Sequence, residues 1–198
     1  KGRRRIGKLV FMGMGEPLDN VDEVIQSLLV LTDPAGFSFS KSAITISTCG
    51  LVDGMHRLGE LGWGRLCLAV SVNAPSDEIR SRIMPVNHRW PMRELAAAMR
   101  AWPMRKTGVV CVEYVLLPGV NDRREDAFGL AEYLRGLRVR VHLIAHNPFP
   151  GSPFSAPTEA QARQFLSWLR EAGLHATQRV SRGRDILAAC GQLAGGLV

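Results

Sequence analysis

The sequence predicts an α/β chain of repeated strand–helix units, arranged as part of a (βα) barrel rather than as a doubly wound sheet. Five apolar runs of strand length recur along the 198 residues, and helical patterns fill intervals between them. Each run gives way at its C-terminal end to glycine, proline and small polar residues. A barrel gathers its site from the ends of many strands, whereas a doubly wound sheet uses mainly the point where strand order reverses. Decoration at every strand end favours the barrel.

The first run is LVFM (9–12), followed by GMGEPLDN. A helix comes next, marked by Val21, Val24, Ile25, Leu28 and Leu29. Asn20 with Glu23 reads as its capping box, and Asp33-Pro34 ends it. AITIS (43–47) closes in STCG, and LCLAVSV (66–72) runs into SVNAPSDE. VVCVEYVLL (109–117) gives way to LLPGVND, after which Asp122 and Glu125 open a helix with Ala127, Leu130, Ala131 and Leu134 on one face. VRVHLIA (139–145) leads into AHNPFPGSP, and Thr158 with Gln161 caps a helix whose Ala162, Phe165, Leu169 and Ala172 face inward. The runs are near-continuous rather than alternating, as in parallel strands buried on both faces. No repeat, low-complexity tract or linker interrupts them, so residues 1–198 read as one domain.

A hydrophobic fraction of 46% and a mean hydropathy of +0.01 describe a globular chain. The apolar runs are too short to span a bilayer, so no membrane is expected, and KGRRRIGK at the start lacks the apolar stretch of a signal peptide. The expected location is the cytoplasm. This N-terminus also lacks an initiator methionine and runs almost directly into a strand, as a piece of a longer chain would. A net charge of +7 suits an anionic partner, with RNA the natural candidate, although solubility alone accounts for it equally well. The cysteines are Cys49, Cys67, Cys111 and Cys190, with no C-x2-C or C-x3-C spacing, so no metal ligand set is predicted. Cys67 and Cys111 lie inside apolar runs and read as inert core thiols. His56, His88, His142, His146 and His175 are scattered, without metal spacing. Glu113, inside its apolar run, is a carboxylate that needs a partner the sequence does not name.

The strand ends offer a consistent set of groups. Gly15 lets backbone approach a ligand, Glu16 supplies a carboxylate suited to an ammonium group, and Pro17 stiffens the turn. Ser47, Ser71 and Asn73 offer hydroxyl and amide groups suited to a ribose or an amino-acid carboxylate, and Asn147 offers a further amide. Each taken singly has a structural explanation as a turn or a cap. Their recurrence at equivalent strand ends describes a site for a zwitterionic, sugar-bearing small molecule. Cys190 stands apart, in DILAACGQLAG, with small neighbours and no histidine beside it.

FMGMGEPL, ITISTCG, SVNAPSDEIRSRIMPVN, EYVLLPGVND, HNPFPGSP and RGRDILAACGQLAG occur in that order. Together they closely resemble the C-terminal part of the bacterial radical SAM methyltransferases that modify carbon 2 of adenine in 23S rRNA and tRNA. The resemblance spans essentially all 198 residues. It implies a partial (βα)6 TIM-like barrel binding S-adenosyl-L-methionine (SAM) and a 4Fe-4S iron–sulfur cluster. It also implies RNA as substrate, an electron donor such as flavodoxin, and a monomer. By matching motif positions, Gly15 and Glu16 touch the methionine end of SAM. Ser47, Ser71, Val72, Asn73 and Asn147 complete the pocket.

Cys190 matches the cysteine that accepts a methyl group from one SAM. A second SAM is then cleaved to a radical that takes hydrogen from the S-methyl group, so that the carbon adds to the adenine ring. A further cysteine resolves the crosslink by forming a disulfide bond. Carbon 2 of adenine is electron-poor and has no nucleophilic lone pair, which is why a methyl carried on sulfur serves where polar transfer fails. The small residues around Cys190 leave room for a base and for loop movement.

The resemblance is also incomplete. The C-x3-C-x2-C cluster motif, the first barrel strand, the N-terminal accessory domain and the resolving cysteine are missing from these residues, and Asn73 stands where many members have histidine. The isolated piece is therefore expected to be inactive. A carbon-8 methyltransferase of the same family, and a non-catalytic RNA- or SAM-binding relative, remain alternatives.

Overall fold

The computed structural model describes residues 6–12, 15–149 and 151–179. Six strands are interleaved with six α-helices among them, two of the helices falling between the third and fourth strands. In chain order they are β1 (Leu9–Phe11), α1 (Val21–Thr32), β2 (Ile44–Thr48), α2 (Val52–Gly59), β3 (Cys67–Ser71) and α3 (Asp77–Ile83). There follow α4 (Met92–Ala101), β4 (Val110–Leu116), α5 (Arg124–Tyr133), β5 (Val139–Ala145), α6 (Glu159–Glu171) and β6 (Ala176–Arg179). The strands form one sheet in the order β1-β2-β3-β4-β5-β6, with every neighbour parallel.

That order settles the architecture. Right-handed crossovers that always step in the same direction put every helix on one face. A doubly wound sheet needs a reversal of strand order, and there is none here. The burial pattern agrees. Ile44, Ile46, Leu68, Val70, Val112, Tyr114, Leu116, Val141 and Leu143 are at most 1% exposed beneath the helices. The alternate residues, including Ser47, Ser71, Glu113, His142 and Arg179, form the opposite, helix-free face. The sheet is curled as well. Arg179, at the end of the last strand, reaches Met12, just past the first, with Nη1 3.6 Å and Nη2 3.7 Å from its Sδ. Opposite sheet edges meet through one side chain, as in the wall of a barrel.

Local chemistry explains the elements. Thr158 Oγ1 accepts from the Gln161 amide at 3.2 Å while Gln161 Oε1 accepts from the Thr158 amide at 2.8 Å, so the expected box opens α6. Ala162, Phe165 and Leu169 of α6 are buried, and the Phe165 ring stacks on Tyr114 of β4 at 5.3 Å. Asp33 ends α1 as expected.

Two expected caps are replaced. Asn20 makes no capping bond, because α1 continues from a 3-10 turn, Pro17–Asn20, whose own cap is Glu16. Asp122 does not open α5: its Oδ1 accepts from the Gly119 amide at 2.8 Å, and Asp126 caps the helix by accepting from the Arg123 amide at 2.9 Å. Cys67 and Cys111 are half-buried rather than core, because both lie on the helix-free face. The sixth strand, ATQR, was not expected.

Candidate active site at the strand ends

The strand ends are fastened before any ligand is considered. Glu16 binds two amides at once: Oε1 accepts from Leu18 N at 3.0 Å and Oε2 from Cys49 N at 2.7 Å. One carboxylate thus caps the turn after β1 and ties it to the loop after β2. Each oxygen retains acceptor capacity for a ligand. Gly54 allows α2 to press on that turn, since a Cβ there would lie 2.7 Å from Leu18 Cβ.

Arg80 fastens the next loops. It is fully buried, and its guanidinium donates to the carbonyls of Cys49 (2.6 Å), Ser71 (3.2 Å) and Val72 (3.2 Å) and to Asn87 Oδ1 (2.8 Å). Asn87 is fixed in turn by Nδ2 bonds to Asp77 Oδ1 and Ser81 Oγ, both 2.8 Å. Burial lowers the Arg80 pKa from its usual value, with no effect on its charge near neutrality.

Asn121 does the same between β3 and β4. Its Oδ1 accepts from Leu117 N at 2.7 Å, and its Nδ2 donates to the carbonyls of Asn73 (2.7 Å) and Val115 (2.8 Å). Asn73 itself sits at φ 59, and its Oδ1 accepts from Val115 N at 2.8 Å. Neither Arg80 nor Asn121 stood out in the sequence as part of a site. Each reaches one carbonyl from a distant segment, Cys49 for Arg80 and Asn73 for Asn121, which the sequence does not show as neighbours.

Two small cavities open at these ends. The first, of about 200 Å³, is lined by Gly15, Glu16, Ser47, Cys49, Ser71 and Met12 among others. Four of the expected residues therefore meet in one place. The hydroxyls of Ser47 and Ser71 have no protein hydrogen-bond partner among the described residues, which leaves them for a ligand. Cys49 is no nucleophile: desolvation, then the hydrogen bond and charge of Glu16, push its pKa up to about 12.

The second cavity, of about 260 Å³, is mostly apolar, with Met84, Val115, His146, Phe149 and Phe154 around the edge of Asn73. Burial lowers the pKa of His146, whose Nε2 lies 3.1 Å from Ser152 Oγ. Val72 is fully buried and contributes backbone only, its amide donating to Glu113 O at 3.1 Å. Asn147 is buried two residues beyond β5 and lines neither cavity. Cys190 lies outside the described residues.

The carboxylate of Glu113 finds its partners in this geometry. Oε1 lies 3.0 Å from His142 Nδ1, and Oε2 lies 3.7 Å from Arg179 Nη1 without a hydrogen bond. Among the described residues no group of three His, Cys, Asp or Glu side chains could hold a metal ion, and Cys49, Cys67 and Cys111 are free thiols. These residues do not furnish a cluster site.

A singly wound curl of parallel strands, with a polar pocket at the glycine–glutamate turn of its first strand, has matching relatives. The profile of the radical SAM superfamily matches residues 1–131. The chain belongs to the radical SAM superfamily. Membership implies SAM and a 4Fe-4S cluster as cofactors. A probable dual-specificity RNA methyltransferase RlmN of Moorella thermoacetica is 47% identical over 193 residues, 98% of this chain and 54% of that protein. The dual-specificity RNA methyltransferase RlmN of Syntrophotalea carbinolica is 44% identical, over 97% of this chain and 51% of its own. The crystal structure of a radical SAM methyltransferase from Sphaerobacter thermophilus superposes with a TM-score of 0.91 at 43% identity, covering 96% of this chain and 55% of that one. The chain thus spans about half the length of the relatives it matches. No helix among the described residues is long and apolar enough to cross a membrane.

Proposed function

We propose that this chain is the SAM-binding, methyl-carrying part of an RNA methyltransferase acting on carbon 2 of adenine in 23S rRNA and tRNA. The observation that carries the cofactor reading is the meeting of Gly15, Glu16, Ser47 and Ser71 around one cavity of about 200 Å³. In this reading the amino-acid end of SAM lies there. Glu16 faces the ammonium group, and the free hydroxyls of Ser47 and Ser71 bind polar atoms. The apolar cavity beyond Asn73 accepts the flat adenine ring, whose exchange of water for hydrocarbon is favourable. The names of the relatives support RNA as the substrate.

Bound SAM supplies an electrophilic methyl group. Cys190 would accept it on sulfur, the thiol proton passing to water as the S–CH3 bond of the sulfonium breaks and S-adenosylhomocysteine leaves. The cluster ligands, the resolving cysteine and the contact with an electron donor fall to polypeptide outside this chain. The working form is a cytoplasmic monomer.

The test uses the full-length parent protein, prepared anaerobically with iron. Intact mass and peptide mapping are expected to place one methyl on Cys190, absent in Cys190→Ala. Nucleoside analysis of treated RNA is expected to show 2-methyladenosine. An 8-methyladenosine product moves the protein to the carbon-8 activity. Methyl on another residue refutes the Cys190 assignment, and unmodified RNA under competent conditions favours a non-catalytic binding protein.

A further inference from the structure

We propose that the end of the barrel opposite the candidate site is a contact surface for an RNA backbone, built from Arg65, Arg105, Lys106, Arg138 and Arg140. The choice of RNA as the partner rests on the functional reading above, and the surface adds a second contact to it.

In a sheet whose strands are all parallel, every strand starts at one end and finishes at the other. The two ends differ in charge. Among the described residues, the segments between each strand and the α-helix after it hold Glu16, Asp19 and Asp122 against one cation, Arg123. The starting end has the opposite sign. Segments 60–66, 102–109 and 134–138, which lead into β3, β4 and β5, hold Arg65, Arg105, Lys106, Arg135 and Arg138 against one carboxylate, Glu60. Arg140 is the second residue of β5. Glu60 is taken by Arg57 at 2.8 Å, and Arg135 pairs with Glu132. Arg65, Arg105, Lys106, Arg138 and Arg140 are exposed and stand outside every ion pair among the described residues.

Backbone contacts gather these cations from three adjacent strands. Arg138 Nη1 donates to the carbonyls of Arg105 (3.1 Å) and Lys106 (2.6 Å), which fastens the start of β5 to the segment before β4. The Arg105 amide donates to Gly64 O at 3.0 Å, which fastens that segment to the one before β3. Gly64 permits the approach, since a Cβ there would lie 3.3 Å from Arg105 N. Like charges held together repel one another, and a polyanion that neutralises them also releases its own counterions. A protein partner is the poorer fit. Such interfaces have an apolar, fully buried centre, and the large exposed hydrophobic residue in these segments is Val109 alone, 37% exposed. Phosphate contacts carry no sequence information, so they hold and orient an RNA without selecting its base. The seven residues of β4 separate this surface from the strand ends by roughly 20 Å, a span that one folded RNA exceeds.

The experiment measures equilibrium binding of a tRNA transcript to the full-length, cluster-loaded protein between 0.05 and about 0.3 M salt. It compares wild type, the double variant Arg105→Gln with Lys106→Gln, and a control, Arg93→Gln with Arg163→Gln, which removes the same charge from exposed helix faces. All four side chains are exposed, so urea midpoints are expected to stay close to wild type. The Arg105/Lys106 variant is expected to lose about tenfold to thirtyfold in affinity near 0.15 M salt, with the slope of log K against log salt shallower by about 1.4–1.8. The control is expected to stay within about threefold of wild type. Wild-type affinity in the Arg105/Lys106 variant would overturn the proposal while leaving the RNA reading intact. Equal losses in both variants would mark a net-charge effect and overturn it as well. So would tighter binding of poly-glutamate than of tRNA by wild type at equal salt, which would assign the surface to an acidic protein. If wild type bound no RNA, the RNA reading itself would fall, and this partner with it.

Discussion

Replacing Arg80 by methionine removes the guanidinium that joins the ends of β2 and β3 while keeping an unbranched side chain of similar length. Four acceptors lose their donor: the carbonyls of Cys49, Ser71 and Val72, and Asn87 Oδ1. A hydrogen bond contributes about 1 kcal/mol net, so four contribute about 4 kcal/mol. The acceptors stranded in a buried place add to the loss, and release of a desolvated charge offsets part of it. The expected destabilisation is about 3–5 kcal/mol, a large fraction of the stability of an ordinary domain. Arg80→Lys keeps the charge but not the planar fork of donors, and is expected to cost about half as much. Urea unfolding of the purified protein, followed by circular dichroism and tryptophan fluorescence, measures this as a lower midpoint at unchanged slope. If Arg80→Met unfolded within about 1 kcal/mol of wild type, the carbonyl clamp would carry no weight, and the reasoning from its geometry would fail.

Other predictions follow the same lines. Asn121→Ala removes three side-chain bonds that tie the loop after β4 to Val115, to Leu117 and to Asn73 beyond β3, and is expected to cost about 3 kcal/mol, with faster exchange of the Leu117 amide; unchanged exchange there counts against the role given to Asn121. Cys49 is expected to react with iodoacetamide at pH 8 at least about a hundredfold more slowly than a cysteine in a peptide, because its thiolate is scarce; rapid labelling at that position contradicts the burial. The same shift has a stability consequence. The folded pKa of about 12 lies above the ordinary thiol value of 9.0, so the folded state holds its proton more tightly. The associated stability is present below pH 9 and is lost as pH rises towards 12. Cys49→Ala is expected to flatten that alkaline decline in urea midpoint, and an unaltered profile would count against it.

Much of this fold is legible in the sequence because each long strand buries apolar residues beneath the helices and carries mostly small or apolar ones on its other face. Each then appears as an unbroken apolar run, and its end announces the site through glycine, serine and asparagine. Gly15, Glu16, Ser47 and Ser71 could be read as companions for that reason alone. The last strand escapes such reading. ATQR is four residues long, buries only its alanine, and sits at an edge of the described sheet. The helix over Val52–Gly59 carries Gly54 near its start and Gly59 as its last residue, a composition that hides it. Arg80 looks like any surface arginine in SDEIRSRI, and its burial follows from three carbonyls brought from elsewhere. Glu113 needed His142 and Arg179, whose strands arrive 29 and 66 residues later, to explain its charge.

The unbroken order of the sheet bears on how the molecule is made. Each new strand pairs with the one that left the ribosome just before it, and never waits for a later segment to be inserted between. Structure can accumulate from the amino end at the pace of translation, with each unit serving as the template for the next. Among the described residues, the contact between Arg179 and Met12 joins the last of this growing series to the first. It forms only after β6 has been made, so Met12, part of the wall of the cavity after β1, gains this neighbour once the strands between are in place.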